Sequence, residues 1–350
     1  MASSEPDTAE PPRPEPPDVV RAADLPARVP AGSAPAPAKT GQTSSPHAPA
    51  ASRPVEREFT IAARSQTQLA ARRFFGHRLA ATSLAVFTIL VLLAVVGQRL
   101  YHLKYNQDPT AANDISVPPF TKGHLLGTDS DGLDLFARIL RGIQTSVMVG
   151  GIVAILATTF GTLYGAVAGY FGGAVDNILM RIVDLVLTLP ALAILLLLSV
   201  KLAGGGSALS IAFTLSALSW APISRVIRGL FLSLREKEFV EAARALGASN
   251  KRIILRHLLP NAAGPIIVNA TVVVAVAILT EAGLSFLGFG IKFPDVSLGG
   301  LISDGISAAT TRPWLFYFPG ATLVVLAVCV NFIGDGLRDA LDPQQQRMRQ

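Results

Sequence analysis

The sequence predicts an all-α integral membrane protein with about six transmembrane helices. Only 15% of its 350 residues are charged, whereas an average soluble domain carries about 25%. Between Arg141 and Asp176, 34 consecutive residues include no Asp, Glu, Lys or Arg. Roughly 20 apolar helical residues cross the ~30 Å hydrocarbon layer, and a soluble helix of this length would keep a polar stripe. The uncharged stretch therefore favours a membrane span over a soluble core.

Residues 1–58 differ from the rest of the chain. They hold 13 of the 24 prolines and no aromatic residue. Such a segment buries too little apolar surface to offset its ordering entropy, so it is predicted to be a disordered cytoplasmic tail. It lacks the basic start and apolar core of a signal peptide. A tethering or regulatory role and a functionless extension both remain open.

The remaining chain divides into three parts. Residues 59–101 form a basic approach and the first span, 102–143 an extracytoplasmic loop, and 144–345 a core with five more spans. Pro190 is predicted to kink the third span, because proline removes a helical hydrogen bond. The six predicted spans are 79–98, 146–170, 177–200, 207–224, 264–286 and 314–334.

Lys and Arg residues predict the orientation. Short cytoplasmic segments carry an excess of these residues, and eight lie between the fourth and fifth predicted spans. This places that loop and both termini in the cytoplasm, with the chain in the plasma membrane. The net charge of +6 is then explained by lipid and orientation, and nucleic acid is not an expected partner. The eight residues are Arg225, Arg228, Arg235, Lys237, Arg244, Lys251, Arg252 and Arg256.

Small residues mark the second span. Four glycines recur at a spacing of four, which puts them on one helix face where another helix can approach closely. Packing within this subunit is the favoured interpretation, and packing against another subunit is the alternative. The four are Gly161, Gly165, Gly169 and Gly173.

Two polar features lie elsewhere in the chain. Residues 129–134 are acidic but lack the Gly and Glu positions of an EF-hand, so a turn and helix cap are predicted there, followed by a short amphipathic surface helix over 133–143.

Glu281 is deep in the fifth span, where carboxylates are functional candidates. It either lines a polar path or outer contact, or is hydrogen-bonded within a helix contact near the outer surface.

The segment 238–261 has helical periodicity although it joins two spans. Gly247 interrupts the pattern and suits a turn, and Pro260 is predicted to end a second short helix. We therefore predict two short cytoplasmic helices whose uncovered apolar face is a docking surface. The apolar residues are Val240, Ala243, Leu246, Ile253, Ile254, Leu258 and Leu259.

This segment resembles the EAA loop of ABC importer permeases. The matching positions are Glu241, Ala242, Ala243, Gly247, Leu259 and Pro260. His257 fits the peptide-importer branch, whose version resembles His-x-Leu-Pro-Asn. Three further motifs agree with that branch: 124–129 (HLLGTD), 285–290 (SFLGFG) and 331–343 (NFIGDGLRDALDP). The resemblance covers about residues 65–345 and points to the C-type subunit of dipeptide, oligopeptide or nickel importers.

The resemblance implies a type I importer fold and a coupling role for this loop. Glu241 and Arg244 would contact the rim of an ATPase groove, Ala242 would allow close approach, and Gly247 would set the bend. The implied partners are two ATPase subunits, a second, B-type permease and an extracytoplasmic solute-binding protein that meets the outer loops. Peptide is the favoured cargo on this resemblance, and nickel is the alternative.

The sequence gives no sign of its own catalysis. It contains no Gly-x-x-x-x-Gly-Lys-Ser/Thr phosphate loop, no histidines at metal-ligand spacing, and no nucleophile with a base nearby. We expect a non-enzymatic transport subunit without cofactor or metal, driven by ATP that partner chains hydrolyse. The rivals are an intramembrane enzyme, which needs paired catalytic residues, and a self-sufficient channel or secondary transporter, which needs no docking loop.

Overall fold

The computed structural model describes residues 66–101, 114–202 and 206–341. The predicted tail 1–58 lies outside the described residues. The described residues form eleven α-helices and one π-helical segment. In chain order these are α1 (Gln66–Gly76), α2 (Arg78–Leu100), α3 (Leu135–Phe171), α4 (Gly173–Thr188), α5 (Ala191–Leu202), α6 (Ala208–Arg235), α7 (Glu238–Ala245), α8 (Asn250–Arg252), the π-helical segment (Ile253–Leu258), α9 (Leu259–Phe286), α10 (Leu298–Ile306) and α11 (Trp314–Leu341).

Five helical stretches of the described chain are long and apolar enough to cross a membrane, and a sixth span results if α4 and α5 count as one. The predicted all-α membrane fold is therefore confirmed. Pro190 was expected only to kink the third span. Instead α4 and α5 are bent by 85° at a break, because proline both removes an amide donor and disfavours helical backbone at Leu189.

The predicted surface helix over 133–143 is not a separate element. It is the start of α3, which runs for 37 residues from Leu135. Residues on more than one side of this segment are buried, including Leu135, Ile139 and Leu140. The segment is therefore part of α3 and is packed within the chain.

Glycines bring α3 and α6 into backbone contact. A Cβ at Gly161 would lie 2.7 Å from the Trp220 carbonyl oxygen, and one at Gly169 would lie 2.6 Å from that of Arg228. Gly165 meets the Ser224 carbonyl in the same way. Gly173 is not part of this face, because α3 ends at Phe171 and nothing lies within 4 Å of a Cβ built on Gly173.

Helix α6 continues well beyond the predicted end of the fourth span at 224. Arg228 donates to both carboxylate oxygens of Asp176 on α4, at 2.5 and 2.6 Å. Arg225 donates to Asp184 at 2.5 Å. These ion pairs connect α4 to α6, which ends at Arg235.

Asp134 is the N-cap of α3, and its side chain also contacts residues that precede the helix. Its Oδ1 accepts from the Ala137 amide at 2.8 Å, and its Oδ2 lies 2.8 Å from His124 Nδ1 and 3.2 Å from the Tyr101 hydroxyl. Asp129 accepts from the amides of Asp131 and Leu133, so the predicted turn and cap are confirmed. Burial is the main cause that raises the pKa of Tyr101 to about 12, and the negative charge of Asp134 is the second cause.

We expect Asp134→Ala to lower the free energy of unfolding by about 1–3 kcal/mol, because it removes the helix cap and leaves the buried His124 without its partner. Thermal unfolding in detergent measures this loss. Asp131→Ala, an exposed position on the same loop, is the matched control and should change little. Equal melting temperatures for the two variants would contradict the cap role.

Candidate functional site

Helix α7 and its C-terminal turn form the first part of the candidate site. The Ala248 amide donates to the Ala243 carbonyl at 3.0 Å, and the Gly247 amide donates to the Arg244 carbonyl at 2.9 Å. This is the Schellman pattern, which requires left-handed backbone at the residue after the cap. Gly247 has φ +78°. The sequence therefore ends α7 at a fixed point and turns the chain towards α8.

The apolar side of this segment is covered by the chain itself, which corrects the predicted uncovered face. Val240, Ala243, Ile253 and Leu258 are buried in one cluster with Phe231 and neighbouring residues of α3 and α6. The bundle end supplies apolar partners that local periodicity does not reveal. The buried side therefore anchors α7 to the bundle and is unavailable for docking.

A different side of α7 is exposed. Phe239, Ala242 and Leu246 follow one another at helical spacing, and Leu246 is 88% exposed. Glu238 and Glu241 are also exposed. We call these five residues the α7 exposed face. It is a small apolar strip beside two carboxylates, on a helix whose opposite side is fixed, and such a strip is suited to binding another protein.

Residues at the end of α3 contact α7 and the helices on either side of it, and sequence reasoning did not identify them. The Tyr170 hydroxyl donates to Asn250 Oδ1 at 2.8 Å, and the Arg244 guanidinium lies 5.6 Å from the centre of the Tyr170 ring. Arg235 donates to the Gly169 carbonyl at 3.2 Å. Arg244 thus contacts this chain's own aromatic ring, and only the three-dimensional approach of α3 reveals that role.

Pro260 does not end a helix, contrary to the prediction. The helical path from Asn250 to Phe286 is continuous and 37 residues long. Its π-helical segment contains His257 and directly precedes Leu259, with Pro260 in the first turn of α9. The Asn261 side-chain amide donates to the His257 carbonyl at 2.6 Å. The wider π-helical turn before α9 lets the helical path continue through Pro260, although proline supplies no backbone donor.

Glu281 lies far along α9 from this segment and is fully buried. Ser285 donates to its Oε1 at 2.6 Å, and Ser146 of α3 donates to its Oε2 at 3.3 Å. Of the two alternatives, the structure therefore favours the hydrogen-bonded helix contact.

The fold and this site define a class: an all-helical, multi-span membrane protein that holds a braced amphipathic helix outside its spans. Residues 161–347 match the family described as the binding-protein-dependent transport system inner membrane component. Residues 65–119 match the N-terminal transmembrane domain of oligopeptide transport permease C. The chain belongs to this family of inner-membrane transport components.

Two relatives identified by sequence agree with this assignment. The chain is 45% identical over 285 residues to the oligopeptide transport system permease protein OppC of Mycobacterium tuberculosis, covering 81% of this chain and 97% of the relative. It is 41% identical to OppC of Escherichia coli, covering 82% and 94%. A solved structure titled as inward-facing conformations of the MetNI methionine ABC transporter aligns with 59% of this chain and 98% of its own, at 20% identity and a TM-score of 0.49.

Proposed function

We propose that this chain is a pore-forming permease subunit of a peptide importer, and that the α7 exposed face docks on a separate ATPase subunit. The observation that carries the docking proposal is the division of α7 into two sides. Val240 and Ala243 are buried in the bundle, whereas Phe239, Ala242 and Leu246 are exposed. A helix fixed on one side and apolar on the other transmits a push from its partner to the bundle.

The chemistry of the α7 exposed face suits a groove on a protein partner. Ala242 lies at its centre and lets a partner's backbone approach closely, while Phe239 and Leu246 supply apolar area on either side. Glu238 and Glu241 occupy the first turn of α7, where carboxylates also favour the helix dipole. A partner groove with a basic rim would complement them.

A continuous helical path connects the docking segment to the membrane. The turn after α7 leads into α8, and from Asn250 to Phe286 the chain is one helical stretch. The Tyr170–Asn250 hydrogen bond ties the start of that stretch to α3. Movement of α7 would therefore be passed to α3 and α9 together, consistent with rocking of helix bundles in alternating access.

A second, similar permease would complete the pathway. Helix α4 buries only Asp176 and Val183, and Ile178, Leu185 and Leu192 on α4 and α5 are largely exposed. We propose that part of this apolar surface faces the second permease. The α7 end and both termini would lie in the cytoplasm, and a solute-binding protein would meet the opposite end.

The peptide cargo is proposed from the relatives, whose names describe oligopeptide transport. The binding protein would set most of the selectivity, so this chain would supply passage and coupling. ATP would be hydrolysed by the partner subunits.

Cysteine crosslinking tests the docking proposal. In a background with the buried Cys329 changed to alanine, we expect Ala242→Cys to crosslink to an ATPase subunit in native membranes. Ile306→Cys, exposed on α10, is the matched control and should not. Capture of no ATPase subunit from Ala242→Cys in a complex that still co-purifies would overturn this docking site. Labelling of Ala242→Cys by an impermeant reagent from outside would overturn the orientation.

A further inference from the structure

Glu281 and three serines join three helices at the end of the bundle opposite α7. The Ser297 hydroxyl donates to the Ser285 hydroxyl at 3.1 Å, and Ser285 in turn donates to Glu281 at 2.6 Å. Ser146 supplies the contact from α3. All four side chains are buried. We call Glu281, Ser146, Ser285 and Ser297 the Glu281 cluster.

The cluster also fixes the loop that leads to α10. The Ile291 amide donates to the Ser285 hydroxyl at 3.3 Å. Ser297 is the N-cap of α10 and accepts from the Gly300 amide at 3.1 Å. One hydroxyl relay therefore connects α9, the 287–297 loop and the start of α10.

Packing at this junction leaves little room for independent movement. A Cβ at Gly299 of α10 would lie 2.5 Å from the Ala282 carbonyl oxygen of α9. The two helices touch backbone to backbone beside Glu281, so α10 follows the outer end of α9. The other end of α9 continues into the π-helical segment and the α7 turn.

We propose that Glu281 is a positioning residue that couples α10 to α9, so that movement imposed at α7 reaches the outer surface. This inference rests on the proposed function, because it assumes that a partner drives α7. The carboxylate acts as a hydrogen-bond acceptor shared by Ser285 and Ser146. It takes no part in solute binding in this role.

Substitution of Glu281 by Gln or by Ala distinguishes a positioning role from a role that requires the negative charge. Glutamine keeps the shape and accepts from Ser285, and its amide can donate to Ser146. Alanine leaves two buried hydroxyls without their acceptor. Positioning therefore predicts that E281Q resembles the wild type and that E281A does not.

The test uses the complete complex in proteoliposomes with a reporter, Ile306→Cys on α10, in the Cys329→Ala background. The labelling rate by an impermeant maleimide is compared between the nucleotide-free and ATP–vanadate-trapped states, with ATP hydrolysis measured in parallel. We expect a rate change of about tenfold in the wild type and in E281Q, and little change in E281A, while all hydrolyse ATP. S285A should resemble E281A.

Ser303→Ala is the matched control, because Ser303 donates to the Phe286 carbonyl at 3.0 Å across the same α9–α10 junction but outside the cluster. It should keep the rate change. A normal rate change in E281A, or a loss in E281Q equal to that in E281A, would overturn the inference. A wild-type complex that hydrolyses ATP without changing its labelling would also overturn the inference, because movement would not reach α10. If the wild-type complex fails to hydrolyse ATP, the proposed function fails instead.

Discussion

Gly161→Leu is expected to prevent stable folding of the bundle. Even a single Cβ at Gly161 would lie 2.7 Å from the Trp220 carbonyl oxygen and 2.9 Å from the Ile223 Cβ, and the backbone of α6 cannot rotate away. Overpacking a tight core costs about 1–3 kcal/mol, and more where backbones meet. The melting temperature in detergent and the amount of protein in the membrane measure the effect, and both should fall sharply.

Gly151→Leu is the matched control on the same helix. Nothing lies within 4 Å of a Cβ built on Gly151, so this variant should accumulate and unfold like the wild type. If both variants are equally stable, close α3–α6 contact does not hold the bundle together. If both fail, the cause is leucine in α3 generally and not the contact with α6.

Leu246→Glu is expected to abolish transport while leaving the protein folded. Leu246 is 88% exposed and does not belong to the buried cluster beneath α7. The free energy of unfolding should therefore hardly change. A buried interface anchor commonly contributes about 2 kcal/mol or more to binding, and a carboxylate placed there adds a desolvation cost. Peptide uptake and co-purification of the ATPase subunits are the measurements.

Leu100→Glu provides the control for this substitution. Leu100 is similarly exposed but ends α2, at the other end of that span from α1. The variant should retain the ATPase subunits. Normal uptake by Leu246→Glu, or equal loss of the ATPase subunits in both variants, would show that α7 is not the docking element.

Sequence patterns predicted the parts of the fold that depend on composition. Uncharged apolar runs predicted the membrane spans, and Gly247 predicted the turn after α7, because both features depend only on neighbouring residues in the sequence. Asp134 was likewise predictable as a cap. The spacing of Gly161, Gly165 and Gly169 indicated a close helix contact, but only the structure identifies α6 as the neighbour.

Long-range packing decided the features that were predicted wrongly. The apolar residues Val240 and Ile253 show correct helical spacing, yet periodicity cannot say whether α3 and α6 or another protein covers them. The ion pairs that connect α6 to α4 join residues 41 and 52 positions apart in the chain, so local patterns do not predict them. Pro260 was read as a stop because the π-helical turn that accommodates it has no simple sequence signature.

The bend at Pro190 has a consequence for what surrounds it. At about 1.5 Å per residue, the 16 residues of α4 and the 12 of α5 extend about 24 and 18 Å, so neither alone crosses a ~30 Å hydrocarbon layer. Non-helical backbone at that depth is tolerated only beside water or protein, since acyl chains offer no hydrogen bonds. Thr188, Leu189 and Pro190 are exposed in the isolated subunit. If α4 and α5 together form one span, the carbonyl groups at this break face an aqueous cavity or a neighbouring subunit and not lipid.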